Sequence, residues 1–147
     1  GPYIKDVGSK AIHSAPDTKS MIISKSISSN GGIATYRGLV KVLKGAERSF
    51  SHVQCDSLIL DEKSQAYTLP RNEVDEPTAI VSHEATVGRL GEDQLFYMAS
   101  RGIREGEAKA LIVNGFIRDV LKSLPLETVS ILTRVIGLEF SELGSVG

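Results

Sequence analysis

The sequence predicts a mainly β domain with helices at its C-terminal end. Three observations lead there. Short stretches rich in β-branched residues recur from Met21 to Val87. Turn signals interrupt them at roughly ten-residue spacing, the pattern of an all-β sandwich, barrel or β-solenoid. After Gly88 the apolar residues fall at intervals of three and four, the period of an α-helix. No strict repeat motif accompanies the strands, so periodicity leaves sandwich, barrel and solenoid open.

Residues 3–19 are mixed and polar, with Pro16 and Asp17 as turn formers, and read as an irregular start. Strands are expected at Met21–Ile27, Ile33–Leu43, Phe50–Leu60, Ala66–Leu69 and Thr78–Val87. Asn30-Gly31-Gly32 and Lys44-Gly45 punctuate them. A short helix fits Glu92–Ser100, with two acids in its first turn where the macrodipole favours them and Gly102 as its stop. A second helix fits Glu105–Lys122, with Val113, Phe116, Ile117, Val120 and Leu124 on one stripe. Pro125 then opens a third segment carrying Leu126, Val129, Leu132, Val135 and Ile136. The expected organisation is an irregular start over 1–19, a β portion over 20–90 and a helical region over 91–147. The helices would cap an otherwise open strand edge or form a partner-binding face, and the two roles are compatible.

The 147 residues suffice for one domain with its own core. Charged residues make up 24% with a formal net charge of -1, so no electrostatic drive toward nucleic acid or an anionic membrane exists. No apolar run is long enough to span a bilayer, and no signal peptide is visible. Cys55 is the single cysteine, which excludes an intrachain disulfide and favours a reducing, cytoplasmic compartment, or an organellar stroma in a eukaryote. Gly1-Pro2 reads as a protease-cleavage scar, so the chain is expected to be a piece of a longer protein.

Few residues could carry chemistry: Cys55, His13, His52, His83 and the carboxylates near them. A thiol beside an imidazole serves as a nucleophile pair or as a soft metal ligand, and a single Cys is often only a small buried hydrophobe. On a strand through Val81-Ser82-His83-Glu84-Ala85, alternation puts His83 on the more apolar face and Glu84 on the other. The two neighbours therefore cannot serve one site on a regular strand unless a bulge or a second chain intervenes. A P-loop is absent, so the chain should not bind ATP that way. No cysteine pair exists for a closed zinc site, and the scattered aromatics offer no base-stacking platform.

Several stretches together resemble the SufB/SufD family of iron–sulfur cluster assembly proteins. They are Tyr36-Arg37-Gly38-Leu39-Val40-Lys41-Val42, then Gln54-Cys55-Asp56-Ser57-Leu58, then His83-Glu84-Ala85-Thr86, continuing through Gly91-Glu92-Asp93-Gln94-Leu95-Phe96-Tyr97 to Arg101-Gly102-Ile103. Ile112-Val113-Asn114-Gly115-Phe116 and the closing Gly144-Ser145-Val146-Gly147 extend the likeness. The resemblance implies a right-handed parallel β-helix followed by helices, as in the C-terminal third of a SufB-type subunit. It implies a SufC-type ABC ATPase docking on the helices, and dimerisation through β-helix strands with a SufD-like subunit or a second copy of the chain. Carried over position by position, Cys55 matches the family's cluster-building cysteine, Glu84 the glutamate assigned beside it, and His83 a histidine facing the same intersubunit site. The set Cys55, Glu84 and His83 is thus the expected cluster- and metal-binding set, for a transient cluster assembled in the full complex and absent from the isolated fragment.

Departures qualify the likeness. Tyr67-Thr68-Leu69-Pro70-Arg71-Asn72 differs from the usual SufB stretch, while Ser82-His83 and Ala85-Thr86-Val87-Gly88-Arg89-Leu90 look more like SufD. A chain mixing both sets of features suits a homodimer. The function expected is a non-enzymatic scaffold, since incomplete thiolate ligation holds iron loosely enough to release it. The alternatives are a Cys–His enzyme using Cys55 as nucleophile and a purely structural β-solenoid that binds an ATPase.

Overall fold

The structure is a computed structural model and describes residues 3–122. Six parallel strands form two sheets: β1 (Ile4–His13), β3 (Ile33–Val42) and β5 (Gln65–Val74) in one, β2 (Lys19–Ser28), β4 (Phe50–Ile59) and β6 (Ile80–Arg89) in the other. The chain alternates between the sheets, and each strand pairs with the strand two places on, 29–32 residues later: Ile4 with Ile33, Lys19 with Phe50, Ile33 with Gln65, Phe50 with Ile80. This is a partial parallel β-helix, and it decides among the architectures that periodicity left open.

Because partners in a parallel stack point the same way, one face of every strand lines the interior. Tyr36, Val40 and Val42 of β3 meet Val53 and Cys55 of β4 there, with Ala46 from the turn and Ile22, Ala79 and Val81 packed alongside. The same interior carries a ladder of hydroxyls. Ser20 donates to Ser51 at 2.8 Å, Ser26 to Ser57 at 2.9 Å, and buried His13 is held between Thr18 and Ser20, at 2.7 Å to each. Each of these serines finds its partner one coil away and His13 finds its partners in the neighbouring strand and turn, which removes the desolvation cost of an unpaired polar group.

The turns stack in the same register. Asp17 and Arg48 both adopt positive φ, at 58° and 55°, and the Arg48 guanidinium grips the Asp17 carboxylate at 2.8 and 2.9 Å. Asn30-Gly31 forms the expected turn, also at positive φ, with Asn30 N–H donating to Asp61 and Gly31 N–H to Ser64. Gly45, at φ 91°, sends its N–H to Glu76. That bond comes first among those that hold the Glu76 carboxyl below its ordinary value, with Thr78 adding two more.

Two expectations require correction. Residues 3–19 are not irregular: β1 occupies Ile4–His13. Its polar sequence shows no strand alternation, and pairing along its whole length with β3 supplies the order instead. The fourth expected strand does not stop at Leu69 but runs through Pro70 to Val74. Pro is tolerated there because β5 is the outermost strand of its sheet, with one side free of ladder bonds among the described residues.

A second compact unit begins at Gly91. It contains α1 (Glu92–Ser100) and α2 (Glu105–Lys122), with the bounds read from the sequence. Gly102 ends α1 at φ 81°, its N–H bonding Ala99 O and the Ile103 N–H bonding Met98 O. Ala108 and Val113 are fully buried, whereas Phe96, Tyr97 and Leu111 are exposed. The third helical segment, from Pro125 through Ile136, lies outside the described residues.

Candidate functional site

Cys55 sits in the middle of β4, between sheets, at 2% exposure. The segment Ser51-His52-Val53-Gln54-Cys55 alternates, so Ser51, Val53 and Cys55 face inward and His52 and Gln54 outward. Burial pushes the Cys55 thiol up from its ordinary range, and the neighbouring Asp56 charge adds to the effect.

His83 lies on β6 opposite Val53, and Ala85 lies opposite Cys55. The imidazole therefore leans one position along the ladder and brings Nε2 to 3.5 Å from Cys55 Sγ. Val81, two residues earlier on the same face, packs against the core. His83 itself is half-buried, and Ala85 and Val87 are exposed although they share its face. The reason is position: β6 is the outermost strand of its sheet among the described residues, so its inward side chains have a neighbour on one side only.

Glu84 is placed elsewhere. It pairs in register with Gln54 on the outward face and is exposed. Of the three residues singled out by resemblance, the fold brings Cys55 and His83 together and sets Glu84 on the opposite side of the strand. Among the described residues no group of three or more His, Cys, Asp or Glu side chains is arranged to hold a metal ion. The other histidines are not part of the pair: His52 faces outward, its Nδ1 2.7 Å from Ser82 Oγ, and His13 is engaged by the hydroxyl ladder.

Directly beneath Cys55, on the outward face, the sequence reading missed a charged rung. Lys25 of β2, Asp56 of β4 and Thr86 of β6 are register partners. Lys25 Nζ stands 3.2 Å from Asp56 Oδ2, and the Thr86 hydroxyl donates to Oδ1 at 2.6 Å. Gln54 adds a bond to the same carboxylate at 3.2 Å. Burial alone would raise the Asp56 carboxyl, but the bonds from Thr86, Lys25 and Gln54 outweigh it and hold it below the ordinary value. Only the spacing of Lys25 and Asp56, one coil apart, could have announced this rung, and reading it needs the coil length beforehand.

Comparison with known proteins agrees with the fold. Residues 1–116 match the family model described as SUF system FeS cluster assembly, SufBD core domain. The chain is 47% identical over 143 residues to the iron–sulfur cluster assembly protein SufB of Bacillus subtilis, covering 97% of this chain and 30% of that protein. It is 46% identical over 144 residues to an iron–sulfur cluster assembly SufBD family protein of Staphylococcus haemolyticus, covering 98% and 30%. A SufBD family protein of Mycobacterium bovis is 46% identical over 143 residues, covering 97% and 17%. The chain thus spans less than a third of the length of these relatives. With its two-stranded coils and the family match over most of its length, this chain belongs to the SufBD family of SUF iron–sulfur cluster assembly proteins.

Proposed function

We propose that this chain is a scaffold element, not an enzyme, that holds a nascent, labile iron–sulfur cluster at a subunit interface through Cys55, His83 and Glu84. The observation that carries the reading is the Cys55–His83 pair, 3.5 Å apart, Cys55 on the central strand β4 and His83 on β6, the outermost strand of that sheet among the described residues. A thiolate and an imidazole are both iron ligands, and two of them from one chain leave the cluster incompletely held. A second chain meeting β6 completes the set, and Glu84, on the other face of that strand, then serves the partner's side of the site. A homodimer is the favoured assembly, with a SufD-like subunit as the alternative. The pair also meets the first requirement of a Cys–His nucleophile, but the thiol is pushed up, whereas an activated nucleophile has its thiol pushed down. Iron does not meet this obstacle in the same way, because the metal replaces the thiol proton on binding. The cluster is the cargo of this scaffold, and the proposed compartment is the cytoplasm or an organellar stroma. Among the described residues no helix is long and apolar enough to cross a membrane.

The energy source is a SufC-type ATPase, docked on the helical unit. Phe96, Tyr97 and Leu111 expose 77%, 58% and 57% of their surface there, and half-buried Phe116 follows Leu111 on α2. Truncating Phe96 and Leu111 to Ala together is expected to reduce ATPase capture in a pull-down about tenfold or more, since large exposed apolar side chains dominate interface energies. Capture equal to wild type would place the docking face elsewhere. The scaffold reading itself is tested by anaerobic reconstitution of the complete complex: iron and sulfide are retained through desalting, and a complex that retains neither contradicts it.

A further inference from the structure

We propose that the Lys25–Asp56–Thr86 rung is a clamp that keeps β6 closed over Cys55, making Asp56 and Thr86 positioning residues for the Cys55–His83 pair. The role assigned to that pair rests on the scaffold reading; the clamp does not. Three facts converge. The rung lies one residue from the Ser24–Cys55–Ala85 rung and crosses all three strands of the sheet. Its centre is a carboxylate only 8% exposed, engaged on both oxygens, although it faces away from the hydrophobic interior. Its outer arm, the Thr86 hydroxyl at 2.6 Å, ties down the strand that carries His83.

β6 needs such a tie. Among the described residues it has one ladder neighbour, and its side chains beyond His83 are exposed, so little apolar burial holds it. Outermost strands with few buried contacts open at low free energy, well before the whole fold unfolds. Cys55 has β2 on one side, the opposite sheet in front and β6 on the other side. Release of β6 is therefore the shortest route by which iron or sulfide reaches the thiol, and the rung sets how often that route opens.

The test uses the whole chain, whose single cysteine makes thiol modification unambiguous. Cys55 is alkylated with iodoacetamide under native conditions in wild type, Thr86→Val, Thr86→Ser and Val42→Ala. Thr86→Val keeps the side-chain shape and strand preference but deletes the donor. It is expected to speed alkylation about tenfold or more, the scale of a lost hydrogen bond to a charged group. Thr86→Ser should alkylate at the wild-type rate. Val42→Ala loosens the core of the other sheet and should speed alkylation only as far as its lower global stability requires. Hydrogen exchange should show β6 amides losing protection in Thr86→Val while β3 amides keep theirs. The clamp is rejected if Thr86→Val alkylates like wild type, or if its acceleration equals that of Val42→Ala at equal loss of global stability. Alkylation involves no iron, sulfide or partner. Failure of the clamp thus reads separately from failure of cluster binding.

Discussion

Asp56→Ala lowers the stability of the β unit by about 2–4 kcal/mol, the scale on which removing one partner of a largely buried ion pair acts. The carboxylate accepts bonds from Lys25, Thr86 and Gln54, whose donors then face a methyl group. Asp56→Asn keeps an acceptor for Thr86 and should cost roughly half as much. Urea unfolding followed by circular dichroism measures both. The pH dependence carries the same signature. Asp56 titrates below its ordinary value of 3.8, so its stabilisation is fully present above that value and is lost as pH falls through the lower, folded one. The Ala variant should lack this part of the acid limb. Unfolding midpoints indistinguishable from wild type at neutral pH would reduce the rung to a surface contact.

Cys55→Ser leaves the β-helix folded and abolishes cluster retention in the assembled complex. A hydroxyl fits the volume of the thiol and costs about 1–2 kcal/mol at a buried site. Ser20, Ser26, Ser51 and Ser57 already line the same interior with their hydroxyls bonded to one another across the coils. The wall around Cys55 is thus tolerant of a serine in a way that a purely aliphatic core is not. What serine cannot supply is a soft anionic donor for iron and bridging sulfide. A thermal unfolding curve within a few degrees of wild type, together with empty protein after reconstitution, is the expected pair of results.

The two described helices, α1 and α2, were legible because their signals are local: acids at the start of α1, Gly102 at its end, and an apolar stripe through Val113. The parallel coil was not legible from residues, since its period is set by pairing and not by sequence self-similarity. For the same reason β1 went unread. Nothing in Ile4–His13 alternates cleanly, and only its partner β3 makes it a strand. The Cys55–His83 pair was named from resemblance, and alternation correctly put His83 and Glu84 on different faces. The clamp lay hidden because Lys25, Asp56 and Thr86 are about thirty residues apart in turn, ordinary polar residues until the register is known.

The central claim is that Cys55 holds the cluster. Anaerobic reconstitution of the assembled complex, with wild type and Cys55→Ser treated side by side and read by visible absorption and by iron and sulfide content after desalting, tests it most directly. Wild type should retain both elements and Cys55→Ser neither. Equal occupancy in the two proteins would contradict the assignment and leave Cys55 a core residue.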